Sequence, residues 1–234
     1  MVLANFKSVD GDIFSSSTEA VVITVNCVGA MGAGIALEAR YRWPEINDRY
    51  EKACELRQVS VGELIWEKTQ SKWVILFPTK KHYAMPSEMT YINQGLVTLA
   101  KEIKSKSISS IALPHLGCSH GGLMWSEVRP MIESNLLQIP NLDVELWDFH
   151  TKFIDPAFTR FRNSILSMNS QEATKWLQTD KGLEARIRKV LLNSQSTNFS
   201  SFRDEHGLGE KTIQLIYRVG LDPNWPAAPE QLPL

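Results

Sequence analysis

The sequence predicts an α/β layered domain followed by a helical region, and three features of the chain predict it. Residues 1 to about 150 alternate β-branched apolar runs with amphipathic ones. Two of these runs, WVILF and SIALP, are short and apolar throughout, as strands buried on both faces are. From residue 153 onward the periodic stretches have helical spacing and none alternates like a strand.

Taken in order, AVVITV reads as a strand that runs through the glycine-rich NCVGAMGAG into the helix GIALEARYRW. EINDRYEKACEL is amphipathic, ELIWEK is a short β-rich run, and WVILF is a central strand. In YINQGLVTLAKEIK the apolar residues Ile92, Leu96, Leu99 and Ile103 recur at helical spacing, opposite lysines and a glutamate, so this helix covers one face of the sheet. SIALP is a second central strand, VRPMIESNLL another amphipathic run, and DVELWDF the last strand. The proline- and glycine-bearing FPTKKH and LPHLGCSHGG read as loops at the strand ends, where open α/β sheets hold ligands.

Beyond this domain, AFTRFRNSILSM, QEATKWLQT, GLEARIRKVLLNS and KTIQLIYRVGL predict a helical appendage over 153–234, with an irregular, proline-rich end. Within 199–218, Gly207 and Gly209 permit a turn between two short helices, and Lys211 and Thr212 open the second. A DNA-binding helix-hairpin-helix, a helix-turn-helix and a plain helical hairpin all fit, and the plain hairpin is the expectation.

The 234 residues suffice for one large domain or a core domain with a small appendage. A net charge of -1 excludes a polybasic coat for nucleic acid, so any polyanion is met by a local patch. Cys27, Cys54 and Cys118 suit neither a disulfide framework nor a zinc site, which fits a reducing cytoplasm. The chain lacks a signal-like start and any apolar run near the ~18 residues of a bilayer span, so no membrane association is expected.

Gly29, Gly32 and Gly34 allow close backbone approach, and the helix that follows offers unpaired N–H groups to an anion. Alone, this spacing matches neither the P-loop nor the dinucleotide fingerprint. A second glycine-rich segment, LGCSHGGLMW, lies between SIALP and another helix. Two anion-cradling loops at one sheet edge point to a pyrophosphate-bridged nucleotide. Cys118 with His115 and His120 would suit a nucleophilic pair or a metal site, but no acidic orienter lies nearby, so neither catalysis by Cys118 nor a metal is expected.

The segments DGDIF, VVITVNCVGAMGAGIAL and SIALPHLGCSHGGLMW resemble the signatures of the macrodomain, an ADP-ribose-binding fold, over about the first 150 residues. FPTKKH is similar to a loop of the DarG-type DNA ADP-ribosyl glycohydrolases, antitoxins that oppose the DNA-modifying toxin DarT. The resemblance implies a three-layer α-β-α sandwich with a mixed central sheet over 1–152. It places adenine near Asp12 and Ile13, and the pyrophosphate between loops contributed by Gly29, Met31, Gly32, Gly34 and Ile35 and by Leu116, Gly117, Cys118, Ser119, His120, Gly121, Gly122 and Leu123. Thr79 joins this set, and Asn26 faces the distal ribose. At the terminal strand, Trp147 or Phe149 could flank adenine, with core packing expected for at least one of them.

The same resemblance assigns catalysis to Lys80 with Asn26, and needs no cofactor. The C1″ carbon of an ADP-ribosylated base ionises toward an oxocarbenium, which a deprotonated lysine can capture or a cationic one can stabilise in its departing group. The two roles stay open. Lys81, His82 and Tyr83 are candidates to contact single-stranded DNA through phosphate and base stacking. A related animal enzyme that acts on protein glutamates has an aspartate where this chain has Gly121, which favours the DNA-directed activity. The expectation is therefore removal of ADP-ribose from DNA bases, thymidine in single strands first, against a DarT-like toxin. The rivals are a non-catalytic ADP-ribose-binding module, a macrodomain hydrolase for protein-linked ADP-ribose or ADP-ribose phosphate, and a toxin-sequestering protein acting through residues 153–234.

Overall fold

The computed structural model describes residues 3–149, 153–205 and 207–226. The chain divides into two compact units, residues 1–150 and 151–234. In the first, strands β1 (Asn5–Gly11), β2 (Ala20–Asn26), β3 (Ile65–Lys68), β4 (Trp73–Lys80), β5 (Ser110–Pro114) and β6 (Asp143–Phe149) form one sheet in the order β1-β6-β5-β2-β4-β3. The strand pairs are parallel except β3 with β4, so the sheet is mixed and its parallel strands end at a common edge.

Side chains alternate across the sheet and build two apolar layers. Val22, Ile75, Phe77, Ile111 and Leu113 meet Ile92, Leu96, Leu99 and Ile103 of α3 (Met89–Lys106) and Val128, Ile132 and Leu136 of α4 (Trp125–Leu136). Val21, Ile23, Val25, Val74, Leu76 and Ala112 face the other way, against Ala36 and Ala39 of α1 (Gly34–Arg42) and Ile46 and Tyr50 of α2 (Pro44–Glu55). The result is an α-β-α sandwich.

Two elements depart from the sequence reading. FPTKKH is not wholly a loop: β4 continues through Pro78 and Thr79 to Lys80. Pro78 lies opposite Val25, where the β2–β4 register shifts before Asn26, and an irregular ladder tolerates a residue that has no N–H. β1, with no counterpart among the apolar runs, is an edge strand that pairs only with β6 and exposes most of its side chains, so its sequence lacks an apolar signature.

The second unit comprises α5 (Pro156–Ser167), α6 (Ser170–Leu177), α7 (Lys181–Asn193), α8 (Phe199–Arg203) and α9 (Glu210–Gly220). Asp155, Asn169, Asp180 and Asn198 cap the first four of these helices with side-chain oxygens. Phe158, Phe161, Phe199, Phe202 and Tyr217 pack at its centre. Gly207, at a φ of 101°, turns the chain between α8 and α9. Residues 227–234, most of the irregular end expected from sequence, lie outside the described residues.

Candidate active site

The loops after β2, β4 and β5 leave the same edge of the sheet, and each is fixed by its own hydrogen bonds. Asn26, buried at the end of β2, organises the first. Its Nδ2 donates to the carbonyl of Ala30 (2.7 Å), and its Oδ1 accepts from the backbone N–H groups of Val28 (2.9 Å) and Ala30 (3.3 Å). From α2, the Tyr50 hydroxyl donates to the Asn26 carbonyl (2.6 Å). Gly29 has a φ of 79°, and a Cβ there would stand 3.4 Å from Glu51 Cα, so the loop lies directly on α2. α1 then starts at Gly34 behind an alanine N-cap, Ala33, which has no side-chain acceptor. No side chain therefore caps its first N–H groups.

The second loop is a closed turn in which the Gly122 N–H donates to the Cys118 carbonyl (3.1 Å) and that of Leu123 to the Gly117 carbonyl (3.1 Å). The Ser87 N–H, from the chain after β4, donates to the Gly121 carbonyl (2.9 Å). A Cβ on Gly121 would fall 2.1 Å from Gly117 O and 2.4 Å from Ser87 Oγ, so no side chain fits on this backbone. α4 follows with Met124 as N-cap and no side-chain cap. The two loops approach each other: a Cβ on Gly34 would lie 3.9 Å from His120 Nδ1.

Lys80 joins them. It ends β4 in register with Asn26, and its Nζ donates to the backbone carbonyl of His120 (2.6 Å). Thr79 beside it is buried, its hydroxyl 3.4 Å from the Val25 carbonyl. Beyond it the Lys81 amine lies 5.3 Å from the Tyr91 ring centroid, and the His82 and Tyr83 rings are 4.2 Å apart. The Ala84 N–H donates to His82 Nδ1 (3.2 Å).

The remaining candidates divide by burial. Gly32, Gly34, Ser119, His120 and Gly122 are exposed, whereas Ile13, Met31 and Leu116 point into the apolar layers, with Ile35 and Leu123 packed at their margins. Asp12 is buried: one carboxylate oxygen accepts from the Phe14 N–H (3.1 Å), and the other from Arg42 Nη2 (3.2 Å), whose guanidinium lies over the Phe14 ring. Half-burial pushes the Cys118 thiol up to about 11, which disfavours the thiolate a nucleophile requires. His115 stacks on Trp125 with ring centroids 3.8 Å apart, and desolvation lowers its pKa against the opposing pull of Asp148. Trp147 packs in the layer beneath α1 and α2 and donates its indole N–H to Glu145 (2.9 Å), while the Phe149 side chain lies outside the described residues.

Among the described residues, no cluster of three or more His, Cys, Asp or Glu is placed to hold a metal, and no helix is long and apolar enough to cross a membrane. Sequence reading missed Tyr50, which holds Asn26 and the first loop, Ser87, which holds the second loop at Gly121, and Arg42, which holds Asp12 after β1. Each sits in an ordinary helical or loop context with no local motif to mark it.

A family model, the Macro domain, matches residues 22–132. The solved macrodomain of Mycobacterium tuberculosis DarG is 40% identical, and the match covers 63% of this chain and 99% of that one, with a TM-score of 0.61. The chain belongs to the macrodomain family. This macrodomain is also similar to Thermosipho africanus DarTG in complex with ADP-ribose, at 30% identity over 66% of this chain and 44% of that one, with a TM-score of 0.59. A curated Mycobacterium tuberculosis relative named DNA ADP-ribosyl glycohydrolase is 43% identical over 141 residues, 58% of this chain and 40% of its own length. The macrodomain chain thus spans about two fifths of the length of the curated DNA ADP-ribosyl glycohydrolases it matches.

Proposed function

We propose that this macrodomain is a DNA ADP-ribosyl glycohydrolase that hydrolyses the N-glycosyl bond between ADP-ribose and a base of single-stranded DNA, thymidine first, and so opposes a DarT-like toxin. The observation that carries the reading is the placement of the Lys80 amine. It sits at the edge where two glycine-rich loops converge, 2.6 Å from the His120 carbonyl of one and in register with Asn26, which shapes the other. The similarity to proteins named for this activity, and to DarTG with bound ADP-ribose, supports substrate and partner alike.

In this reading the N–H groups of the two loops and of the uncapped first turn of α1 hold the diphosphate. The C1″–N bond breaks with its electron pair leaving on the base, a water oxygen finally takes its place at C1″, and the proton that water gives up ends on the base nitrogen. Lys80 acts at this carbon, as an amine that captures it or as a cation beside the departing base. The absence of space at Gly121 supports base-directed chemistry, because an aspartate could not enter the turn without moving it.

The test is release of ADP-ribose from ADP-ribosylated thymidine and guanosine oligonucleotides by wild type, Lys80→Ala and Lys80→Arg. Wild type should release it, and Lys80→Ala should lose roughly a hundredfold or more. Retained activity in Lys80→Arg selects the electrostatic role, since arginine stays charged. An inactive wild type, or Lys80→Ala equal to it, refutes the reading.

A further inference from the structure

The mouth around Lys80 has an uneven surface. Segments 26–33, 80–87 and 115–124 together contain Lys80, Lys81 and three histidines but no aspartate or glutamate, in a chain whose net charge is -1. Each segment also exposes at least one large apolar side chain: Val28 is 46% exposed, Met85 57% and Met124 63%. Isolated exposed apolar residues are ordinary. Here they recur on all three loops of one site, and the chain between Lys80 and Ser87 is tied at both ends to consecutive carbonyls of the second loop, those of His120 and Gly121. Met85 is therefore two residues from one tie, and Met124 three residues beyond it. A tight turn in which the Met85 N–H donates to the His82 carbonyl (3.0 Å) fixes the backbone between them.

Lysines on a rim whose three segments carry no acid of their own, with Asp148 reaching only His115 at 3.8 Å, suit a polyanion, and apolar side chains on that rim suit the flat faces of bases. Thioethers are soft and adaptable, so they accept any base. A duplex hides those faces by stacking and a single strand offers them. Building on the glycohydrolase reading above, we propose that Val28, Met85 and Met124 form a platform for the unpaired bases that flank the modified nucleotide. Specificity then resides in the strand around the lesion, and an isolated ADP-ribosylated nucleoside is the poorer substrate.

The experiment compares wild type, the double variant Met85→Ser/Met124→Ser and the double variant Met85→Leu/Met124→Leu. Two quantities are measured: kcat/KM on a modified oligonucleotide and on the modified nucleoside, and affinity for an unmodified single strand and its duplex by fluorescence anisotropy. The serine variant should lose about tenfold on the oligonucleotide and a comparable factor in single-strand affinity, by analogy with base stacking on side chains. Its turnover of the nucleoside should stay at the wild-type level, and the leucine variant should behave as wild type. Unchanged single-strand affinity in the serine variant overturns the platform, as does a duplex bound as tightly as the single strand. If wild type binds single strands through this rim yet releases no ADP-ribose from any substrate, the platform stands and the glycohydrolase reading falls.

Discussion

Replacing Gly121 with alanine probes the site where its tolerance is smallest. The added methyl would stand 2.1 Å from Gly117 O, 2.7 Å from Gly117 C and 2.4 Å from Ser87 Oγ. Two of those three atoms are backbone, so a side-chain rotation cannot relieve the clash and the turn itself must open. Overpacking of this kind costs about 1–3 kcal/mol. Opening the turn also stretches the Ser87 N–H to Gly121 carbonyl bond and the Lys80 Nζ to His120 carbonyl bond, each contributing on the order of 1 kcal/mol. If the turn relaxes outward in the free protein, ADP-ribose must supply that energy to restore it, and a loss of roughly 3 kcal/mol weakens binding about a hundredfold. Titration calorimetry with ADP-ribose reads this directly. Thermal unfolding serves as the control, because a strained but unmoved turn would instead lower Tm by about 2–4 °C per kcal/mol. An alanine variant with wild-type affinity and wild-type Tm would refute both the packing of the turn and the part assigned to it.

Two further outcomes test the supports. Tyr50→Phe removes the donor to the Asn26 carbonyl and should cost about 1–3 kcal/mol in urea unfolding, with weaker ADP-ribose binding through a loosened first loop; an unchanged urea midpoint contradicts the role given to that hydroxyl. Burial pushes the Cys27 and Cys118 thiols up to about 11, above an unfolded thiol near ~8.5. The folded state then holds these protons more tightly, so their contribution to stability is present below about pH 8.5 and is lost as pH rises toward 11. Native protein should react with iodoacetamide slowly at pH 7.5 and quickly once unfolded, and rapid labelling of Cys118 in the native state would show its surroundings to be wrong.

The layered architecture was legible because it rests on local pattern. The continuous apolar run at 73–77 and the helical spacing of Ile92, Leu96, Leu99 and Ile103 each encode burial on a known face, and the structure places these residues in the predicted layers. The glycine-rich segments were legible as turns for the same reason, since backbone geometry restricts their composition. What stayed hidden is long-range. Tyr50 reaches Asn26 across 24 positions, and Lys80 reaches His120 across 40. Arg42 claims Asp12 across 30, so a carboxylate expected beside adenine has a partner that no nearby residue betrays. β4 outlasted its proline only because a register shift in the neighbouring strand accommodates it, which a single strand read alone does not reveal.

The acceptor that holds the Lys80 amine is a peptide oxygen, not a side chain. Drift at position 120 can therefore exchange the imidazole for almost anything and leave the tether intact, whereas any movement of the main chain there is felt at the amine at once. On the proposed reading, a diphosphate seated between the two loops and the Lys80 amine would in this way behave as one mechanical variable.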